Sequence, residues 1–175
     1  MQKITILATS LRENSNSQKL ARLFHKLAKD NSLEAELIDL RELNLPMAGT
    51  PGSWDENNLA HLKLAVESAS HIVFAVPIYC YDVNAAAKNI IELVGRSFTK
   101  KIVGFICAAG GSNSYMSVMS MANHLMLDFR SLIVPRFVYT DYSSWDETGQ
   151  LKSDFNDRLV GLLSDMQEIE ITIKS

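Results

Sequence analysis

The sequence predicts an α/β fold, a five-stranded parallel sheet with helices on both faces. Three observations carry this. Apolar runs of strand length alternate with stretches of helical period. Two of those runs, HIVFAV at 71–76 and KIVGFICAA at 101–109, are almost unbroken, the mark of strands buried on both faces. Gly, Pro, Ser or Asn clusters separate the elements, with no repeat and no long linker. Strict alternation implies βαβ units with right-handed crossovers. One domain over 1–175 is expected, since domains usually hold about 100–200 residues.

The elements follow in order. Lys3–Ala8 is short, apolar and rich in β-branched residues, and reads as the first strand. Ser17–Asp30 turns to a helical period, with Leu20, Leu23, Phe24, Leu27 and Ala28 on one face. Leu33–Leu40 is a second strand. Leu43 to Asn58 holds Pro46, Gly49, Pro51 and Gly52 and reads as loop. Leu59–Ala69 is a helix with Leu62, Ala65, Val66 and Ala69 inward. His71–Val76 is the third strand, and Pro77 is expected to stop it. Asn84–Arg96 is helical, Lys101–Ala109 is the fourth strand, and Ser114–Arg130 is one long helix. Leu132–Tyr139 is a strand interrupted by Pro135, which implies a bulge or a sheet edge. Asp141–Gly149 is polar loop and Ser153–Gln167 the last helix. Glu168–Lys174 alternates with period two and has no evident role.

Composition excludes several classes. Hydrophobic residues make up 47% and charged residues 21%, with a net charge of −3. No Lys/Arg run points to nucleic acid or an anionic membrane. No apolar stretch reaches the roughly 18–20 residues of a spanning helix. Cys80 and Cys107 form neither a disulfide framework nor a metal cluster, so a cytoplasmic setting and no metal are expected. His25 and His124 fall within helical stretches and read as packing or surface residues. His61 and His71 are placed on either side of the third strand and suggest nothing specific.

In an open parallel sheet, ligands bind beyond the carboxyl ends of the strands at the switch point. Three loops there carry chemistry. Thr9–Ser17 contains Ser10, Arg12, Asn14, Ser15, Asn16 and Ser17 before a helix, more polar groups than one cap requires. Free N–H groups, hydroxyls and a guanidinium suit a phosphate. No G-x-G-x-x-G or G-K-[ST] occurs, so a single terminal phosphate fits better than a dinucleotide or triphosphate. Pro77–Asn84 brings Ile78, Tyr79 and Tyr81 into a flat apolar wall suited to a planar heterocycle. Cys80 has no His near it in sequence and reads as a bystander placed by the backbone. Gly110-Gly111-Ser112 lets the backbone approach a ligand closely, with the next helix start supplying N–H donors. No catalytic triad is present.

At these residues the chain resembles the NAD(P)H-dependent FMN reductases, a group with quinone, azo and chromate reductases among its members. Ser10-Leu11-Arg12-Glu13-Asn14-Ser15 and Leu20-Ala21 match the opening motif G-S-x-R-x-x-S-x-x-x-x-L-A, with Thr9 in place of Gly. Pro77, Tyr79, Lys88 and Asn89 match P-E-Y-N-x-S-x-P-x-x-L-K-N. Ile78, Cys80, Asp82 and Asn84 depart from its Glu, Asn, Ser and Pro. Asp39-Leu40 through Leu45-Pro46 and Gly110-Gly111 also match. The resemblance implies a flavodoxin-like three-layer sandwich with strand order 2-1-3-4-5. It implies FMN as cofactor and NAD(P)H as co-substrate. Ser10, Arg12, Ser15, Asn16 and Ser17 would hold the phosphate. Pro77, Ile78, Tyr79 and Cys80 would line the isoalloxazine, largely through backbone, and Gly110, Gly111 and Ser112 would meet its pyrimidine edge. The cofactor would then carry the chemistry. NAD(P)H and a small acceptor (quinone, free flavin, azo compound or metal oxyanion) would use one pocket in a ping-pong cycle. The alternatives are a flavodoxin-like electron carrier and a non-catalytic FMN-binding module. Apolar residues on two sides of the 114–130 helix, with the resemblance, predict a homodimer or homotetramer.

Overall fold

The computed structural model describes residues 2–170. Five helices, α1 (Asn16–Asp30), α2 (Glu56–Ser68), α3 (Ala85–Val94), α4 (Met119–Phe129) and α5 (Ser153–Glu168), surround one sheet. Its strands are β1 (Lys3–Ala8), β2 (Glu34–Asp39), β3 (His71–Tyr79), β4 (Asp82–Val83), β5 (Ile102–Ala108), β6 (Leu132–Ile133) and β7 (Val138–Thr140). The main parallel order is β2-β1-β3-β5, closed by β6 and β7 on β5. This is the expected order, with the fifth strand split in two.

The split has a countable cause. Ile133 pairs with Val103 and Val138 with Ile106, so five steps on one strand face three on the other. The two extra residues bulge around Pro135, whose missing N–H cannot join a ladder. Pro77, by contrast, does not stop its strand, because β3 runs on to Tyr79 and pairs Pro77 with Ala108. The Ala75 carbonyl faces β1, where it accepts from the Thr9 amide at 3.1 Å. Backbone groups two residues apart face the same side, so Pro77 faces β1 beyond that strand's end, where no ladder bond is lost.

Two cores lie on the two sheet faces. Phe74, Val76, Phe98, Phe105 and Leu125 pack beneath α2, α3 and α4, and Phe74 stacks on Phe98 and Phe105 with centroids 5.5 and 5.8 Å apart. Ile6, Leu20, Phe24, Val73, Ile106 and Leu162 pack beneath α1 and α5. Alternate residues of β3 therefore serve opposite cores, which is why its sequence is apolar throughout. On α1, Leu20, Phe24 and Ala28 are fully buried and Leu27 partly so, whereas Leu23 is exposed.

Two further expectations are corrected. The 114–130 stretch is not one helix. A 3₁₀ segment, Ser112–Val118, with Ser114 outside helical geometry, precedes α4. The 77–84 segment is not simple loop but a hairpin. Tyr79 pairs with Asp82 across Cys80 and Tyr81, both at positive φ (52° and 62°). Two-residue turns with φ > 0 at both positions usually hold Asn-Gly, so Cys-Tyr gave no signal. His61 sits on α2, its Nε2 3.7 Å from Glu36 Oε1, and His71 is the first residue of β3. His71 is buried at the strand's start, with Nδ1 2.8 Å from Ser70 Oγ and Nε2 3.3 Å from the Ile169 carbonyl. Desolvation holds its pKa below the ordinary value. The alternating tail beyond residue 170 lies outside the described residues.

Candidate active site

The sheet register assembles the site. Ala8 lies beside Ala75, and Pro77 beside Ala108, so β1, β3 and β5 release their chains at one edge. The three sequence-predicted loops leave from there.

The first loop ends at the start of α1. Ser15 is the N-cap residue, yet its hydroxyl makes no capping bond. Ser15 Oγ lies 2.9 Å from Ser17 Oγ instead, and both residues are buried. The first-turn N–H groups, which cannot bond within the helix, are therefore not taken by the cap. Arg12 is exposed, and its guanidinium makes no ion pair with any described residue; its amide donates to Ser10 Oγ at 3.3 Å. Uncapped N–H groups, paired hydroxyls, Asn16 and the Arg12 guanidinium form a donor set that suits a phosphate, and Glu13 is the one carboxylate of the loop.

Residues whose supporting role was not evident in the sequence hold this loop. Gln18 Nε2 donates to the Ser10 carbonyl at 3.1 Å and to Asp39 Oδ1 at 2.9 Å. Gln18 is itself buried, and its Oε1 has no partner among the described residues. Asp39, at the end of β2, is gripped by Arg41, whose Nε lies 3.0 Å from Oδ1. Burial alone would raise the Asp39 pKa, but bonds from Arg41 and Gln18 hold it below the usual carboxylate range. Thr9 and Asn84 form a second support. Thr9 Oγ1 lies 2.7 Å from Asn84 Oδ1, and Asn84 Nδ2 lies 2.7 Å from the Thr9 carbonyl.

The second loop differs from the expected wall. Pro77 and Ile78 are buried, and the Ile78 side chain belongs to the α2–α4 core, so only its backbone can face a ligand. The exposed surface comes from the hairpin itself, where Tyr79 is 51% and Tyr81 69% exposed. Cys80 is exposed at the turn in a left-handed conformation that few side chains adopt readily. Asp82 Oδ1 accepts from Ser120 Oγ at 2.6 Å, tying the hairpin to α4. Asn89, a matched motif position, works at a distance. Its Oδ1 takes the Ala48 amide at 2.8 Å and its Nδ2 the Pro46 carbonyl at 2.9 Å, fixing the loop after β2.

The third loop is open. A Cβ placed on Gly111 would meet nothing within 4 Å, and one on Gly110 would meet only the Tyr142 ring edge at 3.8 Å. Neither glycine has the positive φ that would require it. The free space lies above the backbone, where a ligand edge can approach. The 3₁₀ segment that follows offers no α-helical terminus, so the expected helix-start donors reduce to the amides of 110–112. Tyr139, buried in the middle of β7, pins this loop, since its hydroxyl donates to the Gly111 carbonyl and meets Ser114 Oγ at 2.6 Å. All five tyrosines (79, 81, 115, 139 and 142) lie at this edge of the sheet.

Two cavities, of about 700 and 540 Å³, open on other surfaces and contain none of the predicted site residues. The first lies between α2, α3 and α4, the second between α1 and the 145–151 segment. The loop edge is the better candidate despite them, because donors, aromatics and open backbone converge there. No helix among the described residues is long and apolar enough to cross a membrane.

Comparison with known proteins gives the family and the fold. An NAD(P)H-dependent FAD/FMN reductase of Geobacillus thermodenitrificans is 21% identical over 147 residues, 82% of this chain and 79% of that protein. Two solved structures are similar in fold. An NADH:FMN oxidoreductase, EMOB, superposes with a TM-score of 0.78 at 17% identity, over 95% of this chain and 89% of its own. The flavoenzyme NAD(P)H:(acceptor) oxidoreductase FerB from Paracoccus denitrificans does so at 0.75 and 17%, over 96% and 98%. The sequence model for NADPH-dependent FMN reductases matches residues 2–144, which include all three loops. The chain belongs to the NADPH-dependent FMN reductase family and is an NAD(P)H-dependent oxidoreductase that takes FMN as its cofactor.

Proposed function

We propose that the loop edge seats FMN and that the enzyme passes electrons from NAD(P)H to a small planar acceptor at that same seat. The observation that carries this is the delivery, by three adjacent strands, of an uncapped hydroxyl-lined helix start, an aromatic hairpin and an open glycine pair to one edge. Ser10, Arg12, Ser15, Asn16 and Ser17 hold the phosphate. The backbone of Pro77, Ile78, Tyr79 and Cys80 borders the ring. The amides of Gly110, Gly111 and Ser112 would meet the pyrimidine edge and supply donors for negative charge there. Bound FMN would supply the redox chemistry, a two-electron exchange between NAD(P)H and the acceptor.

The chain's own part is to bind, orient and exclude. No proton-transfer residue is needed, and the histidines lie elsewhere: His25 and His124 on α1 and α4, His61 on α2, and His71 at the far end of β3. Tyr79 and Tyr81 are exposed on the hairpin and offer aromatic faces to a flat molecule. Quinones, free flavins and azo compounds fit that shape, and a metal oxyanion is small enough to enter. Reductant and acceptor share the seat in turn, so double-reciprocal plots at several acceptor concentrations should be parallel. Intersecting lines would establish a ternary complex and a second site.

The same reading includes assembly and location. Met116, Met126 and Leu127 lie exposed on the segment 112–129 while Met121 and Leu125 are buried, so that segment has an apolar outer side for a second copy to cover. Free Cys80 and Cys107 suit the reducing cytoplasm.

A further inference from the structure

We propose that Thr9 and Asn84 form a buried clasp that sets the spacing between the phosphate loop and the ring loop, so that one FMN is gripped at both ends. The proposal rests on the FMN reading of those loops. Thr9 is the last residue of its segment held by the sheet, through the bond from its N–H to the Ala75 carbonyl. Its side chain then turns to Asn84, 75 residues away in sequence. The hydroxyl, which also lies 3.3 Å from the Ala75 carbonyl, donates at the shorter distance to Asn84 Oδ1, and Asn84 Nδ2 donates back to the Thr9 carbonyl, each at 2.7 Å. Thr9 is 0% and Asn84 6% exposed, so water does not compete. Two bonds between the same two residues fix angle as well as distance.

Asn84 forgoes another role to do this. It is the N-cap of α3, where an Asn side chain ordinarily accepts from the first helical turn, and here it makes no such bond. The clasp sits at the root of both loops, because Ser10 follows Thr9 directly and Asp82–Val83 of the hairpin directly precede Asn84. Thr9 and Asn84 are also two of the positions where this sequence departs from the motifs, which place Gly and Pro there. Glycine has no hydroxyl and proline no amide, so neither could make this pair. A ligand held by two loops depends on their spacing, whereas one held by a single loop does not.

The test compares FMN with riboflavin, which lacks the phosphate, by quenching of flavin fluorescence on wild type, Thr9→Val and Thr9→Ser. Valine keeps the shape and removes the hydroxyl; serine restores it. Thr9→Val should weaken FMN binding by about tenfold, the size of one lost buried hydrogen bond. Riboflavin affinity should stay within about twofold, and Thr9→Ser should match wild type for both. Asn84→Ala should repeat the Thr9→Val pattern, which keeps the test open if valine impairs folding. Equal losses for FMN and riboflavin would mean general loosening and would overturn the clasp, as would unchanged FMN affinity. Wild type that binds neither flavin would instead overturn the cofactor site itself, and the clasp with it.

Discussion

Arg12 is the one full positive charge on the phosphate loop, and its guanidinium is unpaired among the described residues. Arg12→Ala removes a charge-assisted contact of about 1.5–3 kcal/mol, so FMN affinity should fall roughly 10- to 100-fold. Riboflavin should bind wild type and variant equally, and equal FMN affinity would remove Arg12 from the site. At this scale the sequence was informative where a residue's chemistry is unusual for its setting. The polar run around the start of α1 exceeds what a cap requires, so Ser10 to Ser17 could be read directly. The supports could not. Gln18, Asp39, Thr9 and Asn84 act through pairings across 21 and 75 residues, and such pairings exist only once the strands are in register. Ile78 was misjudged in its side chain for the same reason. The strand continues through Pro77, and that register turns Ile78 into the core.

Among the elements, the long apolar runs announced β3 and β5, and helical period announced α1 to α5. What escaped were features set by geometry rather than by residue type. The hairpin at Cys80-Tyr81 forms without turn residues, and the 3₁₀ break at 112–118 occurs in a sequence that could equally continue as helix. Gly95 shows how an unremarked residue can govern packing between elements. A Cβ there would lie 2.3 Å from Phe129 Cζ, so the end of α3 and the end of α4 meet over a missing methyl group. Gly95→Ala should destabilise the fold by about 1–3 kcal/mol in urea unfolding, the range for overpacking. Phe129→Leu in the same chain should recover part of that loss. Unchanged stability in Gly95→Ala would show that Phe129 moves aside freely.

For the whole molecule, the strand order followed from alternation and the family resemblance, and the register then placed three distant loops at one edge. Assembly is the next level. Leu127 is 81% exposed on α4, beside the exposed Met126. Light scattering at micromolar concentration should give at least twice the 19.5 kDa chain mass. Leu127→Glu should shift the protein toward the monomer. A wild-type mass near that of one chain would contradict the covered-face reading.

The central claim is that this edge holds FMN in a state that NAD(P)H can reduce. Titrating the purified protein with FMN, then adding NADPH under argon, examines it directly through the visible absorbance of the flavin. Saturable binding, prompt bleaching and rapid recovery of the band on adding a small quinone are the expected results. Bound FMN that keeps its colour in excess NADPH and excess NADH would contradict the account.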